Sequence, residues 1–152
     1  MRVDIVIEGK GGQGVQTLGR IVRQAVVNAN SLLYVAVAPE YDTVVRGGVS
    51  NCHILIAGEE MNPVLEQPDF RLRLCDNTIV LKTGGVLGMS SRVYSGMKER
   101  QVGFALVGLL AARGGLLAGQ DAFEKAIGSA FANPQLAHVS IQAFQAGFFF
   151  ES

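Results

Sequence analysis

The stretch from Val3 to Asn28 constrains this chain more than any other. An apolar run with one charge, Val3-Asp4-Ile5-Val6-Ile7, passes through Glu8 into Gly9-Lys10-Gly11-Gly12-Gln13-Gly14, and a helical pattern follows from Val15. The order is strand, tight loop, helix. Glycine adopts positive φ at little cost, so a strand can turn sharply into a helix there. A loop without Cβ atoms also lets an anion reach several N–H groups at the positive end of that helix. Lys10 adds a positive charge beside the loop, and Thr17 a hydroxyl one turn in. The same residues serve two readings equally well: a cradle for a phosphate or carboxylate, or a tight turn that binds nothing.

Gly9, Gly11 and Gly14 also have the G-x-G-x-x-G spacing of a dinucleotide loop, a weak signal on its own. A dinucleotide site needs an acidic residue about twenty positions on, at the end of the second strand, for the ribose hydroxyls. The run Leu32 to Val37 has no Asp or Glu before Glu40, which disfavours NAD(P) and FAD.

Composition narrows the class. The chain has 152 residues, 49% of them apolar and 17% charged, with zero net charge. That is a globular chain long enough for a proper core. A charged fraction this low, with a mean hydropathy of +0.29, points to a surface that meets other subunits. With no net charge and no basic cluster, nucleic acid is not expected as a partner. No apolar stretch is long enough to span a bilayer, and the chain starts directly with a strand, so no membrane contact and a cytoplasmic location are expected. Cys52 and Cys75 lie in different elements without metal-ligand spacing and read as two buried thiols; no metal site is expected.

Along the chain, Leu18, Ile21, Val22, Ala25 and Val26 form one apolar helix face. Leu32 to Val37 reads as a second strand, apolar throughout as in a buried parallel sheet. Pro39-Glu40-Tyr41-Asp42-Thr43-Val44-Val45-Arg46-Gly47-Gly48 reads as a loop, and Val49 to Ala57 as a strand. Arg46 beside two glycines suits an anion, or equally a surface ion pair with Glu40 or Asp42. His53 reads as a packed or surface histidine. Phe70 to Thr83 leaves room for a strand and a turn or short helix, and Val86 to Ser90 for a further strand. Val102 to Ala112 is apolar nearly all round, a buried helix stopped by Gly114-Gly115. Asp121, with Glu124 three residues on, is a candidate N-cap for a helix to Phe131. Asn133-Pro134 breaks it, and His138 to Gly147 forms the last helix. The tail Phe148-Phe149-Phe150 is expected against the core or a partner. Together these elements predict a single compact α/β domain over residues 1–152: three layers, with a mostly parallel, Rossmann-like sheet flanked by helices.

No nucleophile–base frame surrounds Ser90, Ser91, His53 or His138, no thiamine-diphosphate motif is present, and no cysteine cluster could hold iron–sulfur. The residues therefore describe a binding or assembly unit with no catalytic residue of its own.

Two motifs at this separation resemble a known family. Gly9 to Val15 read G-K-G-G-Q-G-V, Pro39-Glu40-Tyr41 opens a loop, and Arg46-Gly47-Gly48 closes it. In this the chain resembles the gamma subunit, or gamma domain, of the thiamine-diphosphate-dependent 2-oxoacid:ferredoxin (acceptor) oxidoreductases. Pro68-Asp69, Gly84-Gly85 and Ala143-Phe144 with Gly147 follow in the family's order; they are weak singly and useful by sequence of appearance. The resemblance spans essentially the whole chain. The segments Phe70 to Thr83 and Arg92 to Arg100 are shorter than usual for the family, as in a compacted version with one side of the sheet trimmed.

The resemblance implies a complex that oxidatively decarboxylates a 2-oxoacid, usually to the acyl-CoA, and passes electrons to ferredoxin or a similar acceptor. It implies thiamine diphosphate, Mg²⁺ and [4Fe-4S] clusters in other subunits (alpha, beta and a ferredoxin-like delta) and none held by this chain alone. It places coenzyme A near the gamma part. The residues it marks for that contact are Gly9, Lys10, Gly11, Gly12, Gln13, Gly14, Thr17, Glu40, Tyr41, Arg46 and Gly47. Two alternatives stand beside it: a purely interfacial subunit without a small ligand, and a stand-alone nucleotide-binding domain.

Overall fold

The computed structural model describes residues 1–41, 49–61 and 67–151, with Pro39, Glu40 and Tyr41 described by their backbone. Six strands form one sheet in the order β2-β3-β1-β4-β5-β6. They are β1 (Arg2–Lys10), β2 (Tyr34–Tyr41), β3 (Val49–Ala57), β4 (Phe70–Arg73), β5 (Thr78–Leu81) and β6 (Val86–Gly88). The long helices are α1 (Val15–Ala29), α3 (Glu99–Ala112), α4 (Gln120–Ala130) and α5 (Pro134–Phe148); α2 (Ser91–Tyr94) is a single turn.

An α/β architecture with a sheet flanked by helices is what the sequence predicts, but the sheet is mixed and not mostly parallel. Among the described residues only β1 and β4 pair in parallel; β1–β3, β2–β3, β4–β5 and β5–β6 are antiparallel. The expectation of a parallel β2 rested on its unbroken apolar run. That run is instead an edge strand shifted toward the C-terminus, with Leu32 outside it and 87% exposed. An apolar run shows burial and carries no information about strand direction.

The layering also differs. Ile5, Ile7, Cys52, Ile54, Ile56, Leu72 and Ile79 share one face and join the helices in a single core cluster. Asp4, Glu8, His53, Arg71 and Arg73 fall at the alternate positions on the other face. There Arg2 pairs with Asp4 at 2.8 Å, Arg71 with Glu8, and Arg73 with Asp76 at 2.9 Å. Among the described residues, then, the helices that meet the sheet cover one face, α4 and α5 packing chiefly on α1 and α3.

The α1 stripe is buried as its periodicity requires. α3 is buried on nearly every side because α5 crosses it at two glycines. A Cβ on Gly108 would overlap the Phe144 carbonyl, and one on Gly147 the Ala105 carbonyl. Phe144 stacks between Phe123 at 5.2 Å and Phe148 at 5.7 Å, closing the core under both helices.

Local corrections follow from capping chemistry. Asp121 is not the N-cap of α4; Gly119 is, and Asp121 sits in the first turn, where a carboxylate meets the positive helix end. Asn133-Pro134 does not merely stop α4. The Asn133 side chain accepts from the Gln135 and Leu136 amides and Pro134 occupies the first turn, so α5 begins four residues earlier than its apolar pattern suggests. Gly84, at φ 96°, turns β5 into β6. Asp69 holds β1 in place, its carboxylate accepting from the Asp4 amide at 2.8 Å. Phe148 packs on the core, whereas Phe149 is 62% exposed.

The two cysteines differ. Cys52 is buried against Gly19, while Cys75 is exposed, contrary to the expectation of two buried thiols. Cys75 lies in the β4–β5 turn, too short to be covered. Burial pushes the Cys52 thiol up to about 11, and Arg20 offsets part of the shift. Iodoacetamide at pH 8 is therefore expected to label exposed Cys75 in the folded protein and Cys52 only after unfolding, as peptide mapping would show. Because the folded value lies above the unfolded one, the stability tied to Cys52 is complete below pH 9 and is lost as pH rises toward 11. Urea midpoints measured at pH 8 and pH 11 should fall more in the native protein than in Cys52→Ala.

Candidate functional site: the glycine loop and the cavity beside it

The loop leaves the middle of the sheet. β1 is bonded to β3 on one side and β4 on the other, so the loop's root is fixed on both flanks. Gly9 is closely packed: a Cβ there would lie 2.7 Å from Val15 Cγ2 and 2.8 Å from Gln13 Oε1. Gly12 and Gly14 take φ values of 90° and 76°, which L side chains adopt only with strain. A Cβ at Gly11, Gly12 or Gly14 would meet nothing within 4 Å, so their backbone is open to a visitor.

Gln13 points inward and is buried. Its Oε1 accepts from the Lys10 amide at 2.6 Å and from Cys75 Sγ at 3.5 Å. This side chain shapes the loop from within. Lys10 is exposed beside it. Gln16, at the start of α1, donates to Ser50 Oγ at 2.9 Å and to the Asn51 carbonyl at 3.0 Å, tying the helix N-terminus to β3.

The loop opens on a cavity of about 530 Å³ between α1, the start of α3, and α5. Gly12, Gly14 and Thr17 form one wall; Lys98, Glu99, Arg100 and Gln101 form another; Phe104, Phe131, Leu136, Val139 and Ser140 complete it. Two helix N-termini thus face one space, and each presents a positive end to it. Arg100 Nε donates to the Gly12 carbonyl at 3.2 Å, joining loop to helix across the sequence. The Lys98 amide is held by Gln101 Oε1 at 3.1 Å, which orders the first turn of α3. Chemically the arrangement offers amide donors and cations to an anion, beside an apolar pocket.

The structure brings together Gly9, Lys10, Gly11, Gly12, Gln13, Gly14 and Thr17. The Glu40 and Tyr41 backbone ends β2, opposite Asn51 and Ser50 of β3, whose register sets Ser50 against Gly9 and Val49 against Lys10. Arg46 and Gly47 lie outside the described residues. Sequence reading did not single out Lys98, Arg100 and Ser140, which line the cavity from distant elements and carry no motif; of these Arg100 bonds to the loop. Among the described residues no group of three His, Cys, Asp or Glu side chains is placed to hold a metal, and no helix is long and apolar enough to cross a membrane.

Residues 4–87 match the family model described as pyruvate ferredoxin/flavodoxin oxidoreductase. This chain belongs to that family. It is 32% identical over 93 residues to the 2-oxoglutarate synthase subunit KorC of Methanothermobacter marburgensis, covering 57% of this chain and 50% of that protein. It is 34% identical over 73 residues to the ketoisovalerate oxidoreductase subunit VorA of Methanothermobacter thermautotrophicus, 47% of this chain and 15% of that one. The aligned stretches thus cover half, or less, of those relatives' length. The fold is that of the keto/oxoacid ferredoxin oxidoreductase gamma subunit from Geobacter sulfurreducens, with a TM-score of 0.68, 22% identity, and coverage of 97% of this chain and 95% of that one. The 2-oxoglutarate:ferredoxin oxidoreductase of Magnetococcus marinus, solved with 2-oxoglutarate, coenzyme A and succinyl-CoA, gives a TM-score of 0.72 at 15% identity, over 96% of this chain and 30% of that one. The family chain therefore has the fold of a gamma subunit, and its glycine loop lies inside the matched segment.

Proposed function

We propose that this family member is the gamma subunit of a multi-subunit 2-oxoacid:acceptor oxidoreductase, and that its glycine loop holds phosphate oxygens of coenzyme A. The complex decarboxylates a 2-oxoacid oxidatively, forms the acyl-CoA and passes electrons to ferredoxin or a similar acceptor in the cytoplasm. Thiamine diphosphate, Mg²⁺ and the [4Fe-4S] clusters reside in alpha, beta and ferredoxin-like delta subunits, and this chain performs no bond-breaking step. One observation carries the coenzyme A reading: an open backbone at Gly11, Gly12 and Gly14, faced by a second helix N-terminus with Lys98 and Arg100. Phosphate is among the anions that helix N-termini favour.

Arg46 joins the site in this reading. The segment that carries it leaves β2 at Tyr41 and enters β3 at Val49, beside Lys10 in the sheet. Arg46→Ala in the assembled complex is expected to raise KM for coenzyme A about tenfold, with kcat nearly unchanged, since a lost phosphate contact removes ground-state binding. An intact complex with unchanged KM rejects the assignment.

An interface role is the second reading, supported by the sheet face that no helix covers among the described residues, where Val86 is 60% exposed on the same face as the Arg2–Asp4 and Arg71–Glu8 pairs. Size-exclusion of Arg46→Ala and Gly12→Val separates the readings: dissociation points to the interface, whereas an intact complex with weakened coenzyme A binding points to the ligand.

A further inference from the structure

β2 and β6 are the outer strands of the sheet. An outer strand leaves a row of N–H and C=O groups open to another chain, and proteins guard such edges with shortness, charge or bulges. β6 is guarded by shortness: it has three residues, Val86–Gly88. β2 has no such guard. It runs for eight residues, Tyr34–Tyr41, in unbroken register with β3, and carries no charge before Glu40.

Which groups face outward follows from bonds elsewhere in the sheet. The Asp4 and Glu8 carbonyls of β1 accept from the Asp69 and Leu74 amides on the β4 side. The alternate residues Ile5 and Ile7 therefore face β3, opposite Ile54 and Cys52. His53 and Leu55 then face β2, opposite Ala38 and Ala36. The amides and carbonyls of Val35 and Val37 are left pointing away from the sheet. Pro39 falls in the same outward set, where its missing N–H costs β3 nothing. Among the described residues nothing bonds to those outward Val35 and Val37 groups.

We propose that this edge is the contact of a homodimer, in which β2 of a second copy pairs antiparallel with it about a two-fold axis at Ala36. The occupant is a second copy because the strand matches itself. Tyr34-Val35-Ala36-Val37-Ala38 carries a valine on each side of Ala36. About that axis Val35 faces Val37 of the second copy, both with outward groups, so the pair exchanges two hydrogen bonds and its symmetry mate does the same. Ala36 meets Ala36 and Tyr34 meets Ala38, with no like charges opposed along the strand. An axis at Val37 would set Val35 against Pro39 and lose a donor. The contact is isologous and closes after two copies. One strand edge and one helix flank make a small interface, so the association belongs at the weak end.

Arg23 gives the contact a signature. Gly19 lies against β2, where an added Cβ would stand 3.6 Å from Val37 Cγ1. Arg23, one turn on, is exposed on the same flank of α1, and α1 holds no acid. The two-fold brings the Arg23 side chains of both copies toward each other. This dimer should therefore tighten as salt rises, the reverse of a contact held by ion pairs. The proposal is independent of what the glycine loop binds.

Sedimentation velocity of the full chain, over a roughly hundredfold range of concentration, is expected to show monomer passing into dimer. The dissociation constant should fall with added NaCl and in Arg23→Gln. It should rise about tenfold or more in Ala36→Lys, where the axis opposes two ammonium groups. Arg23→Gln changes an exposed side chain and keeps the test decisive if Ala36→Lys fails to fold. Amide exchange reads the contact itself: Val35 and Val37 should be protected at high concentration and not at low, with the amides of β6 unchanged. A chain that stays monomeric throughout overturns the proposal. So does a dimer whose Val35 and Val37 amides exchange as in the monomer, or one that weakens with salt. Protection of these amides only in an assembled complex, with the isolated chain monomeric, gives the edge to a different polypeptide and also overturns it.

Discussion

Gly147→Val is expected to destabilise the protein by about 3 kcal/mol or more, lowering Tm by roughly 6–12 °C. Gly147 lies where α5 meets α3, and any Cβ there overlaps the backbone of Ala105. Backbone cannot rotate aside as a side chain can, so the helices must separate. Separation would also disturb the Phe123–Phe144–Phe148 stack. Gly128→Ala is the matched control: it is exposed on α4 with nothing within 4 Å of the added Cβ. Helix propensity alone then acts, and a gain of up to about 1 kcal/mol is expected. Thermal melts of the two variants give the comparison, and equal behaviour would refute the crossing as the source of stability.

Gly14→Val is expected to reduce coenzyme A affinity at least tenfold, or about 1.4 kcal/mol. A φ of 76° costs a β-branched residue roughly 1–2 kcal/mol, so the loop shifts, and the isopropyl group also enters the space above the amides. Gly11→Ala separates the two effects. It lies outside the positive-φ group and its Cβ meets nothing, so the fold should be untouched while the approach of a phosphate is narrowed. Calorimetric titration of both variants, with melting curves alongside, tests the assignment; full affinity in Gly14→Val would remove the loop from the ligand site.

Much of this arrangement is legible in the residues, for identifiable reasons. The turn from β1 to α1 is visible because glycines are needed at Gly12 and Gly14 and an apolar stripe follows at once. α3 is visible because ten of its residues are buried, which demands apolar side chains on every face. Strand direction was not legible. Leu32 to Val37 advertises burial, yet the same run serves an antiparallel edge, and only the β2–β3 register decides it. The start of α5 was hidden because Asn133-Pro134 punctuates in both directions, ending one helix and capping the next. The second half of the site was hidden by distance: Arg100 reaches the Gly12 carbonyl across 88 positions, and Ser140 looks like any serine in a helix until its surroundings are known. Gln13 sits in the same motif as the loop glycines, and its inward turn, with Oε1 accepting from the Lys10 amide, could be read only from the fold.

The alternation in β1 has a consequence for how this chain can vary. Ile5 and Ile7 enter the core, while Asp4 and Glu8 stay on the helix-free face with their arginines. Inserting one residue within β1 would swap those sets, driving two carboxylates into hydrocarbon. It would also rotate the glycine loop to the wrong side of the sheet. An extra residue at Gly58-Glu59-Glu60, an exposed bend after β3, would change neither. Length drift among descendants of this sequence should therefore collect at that bend and spare the segment from Arg2 to Gly14.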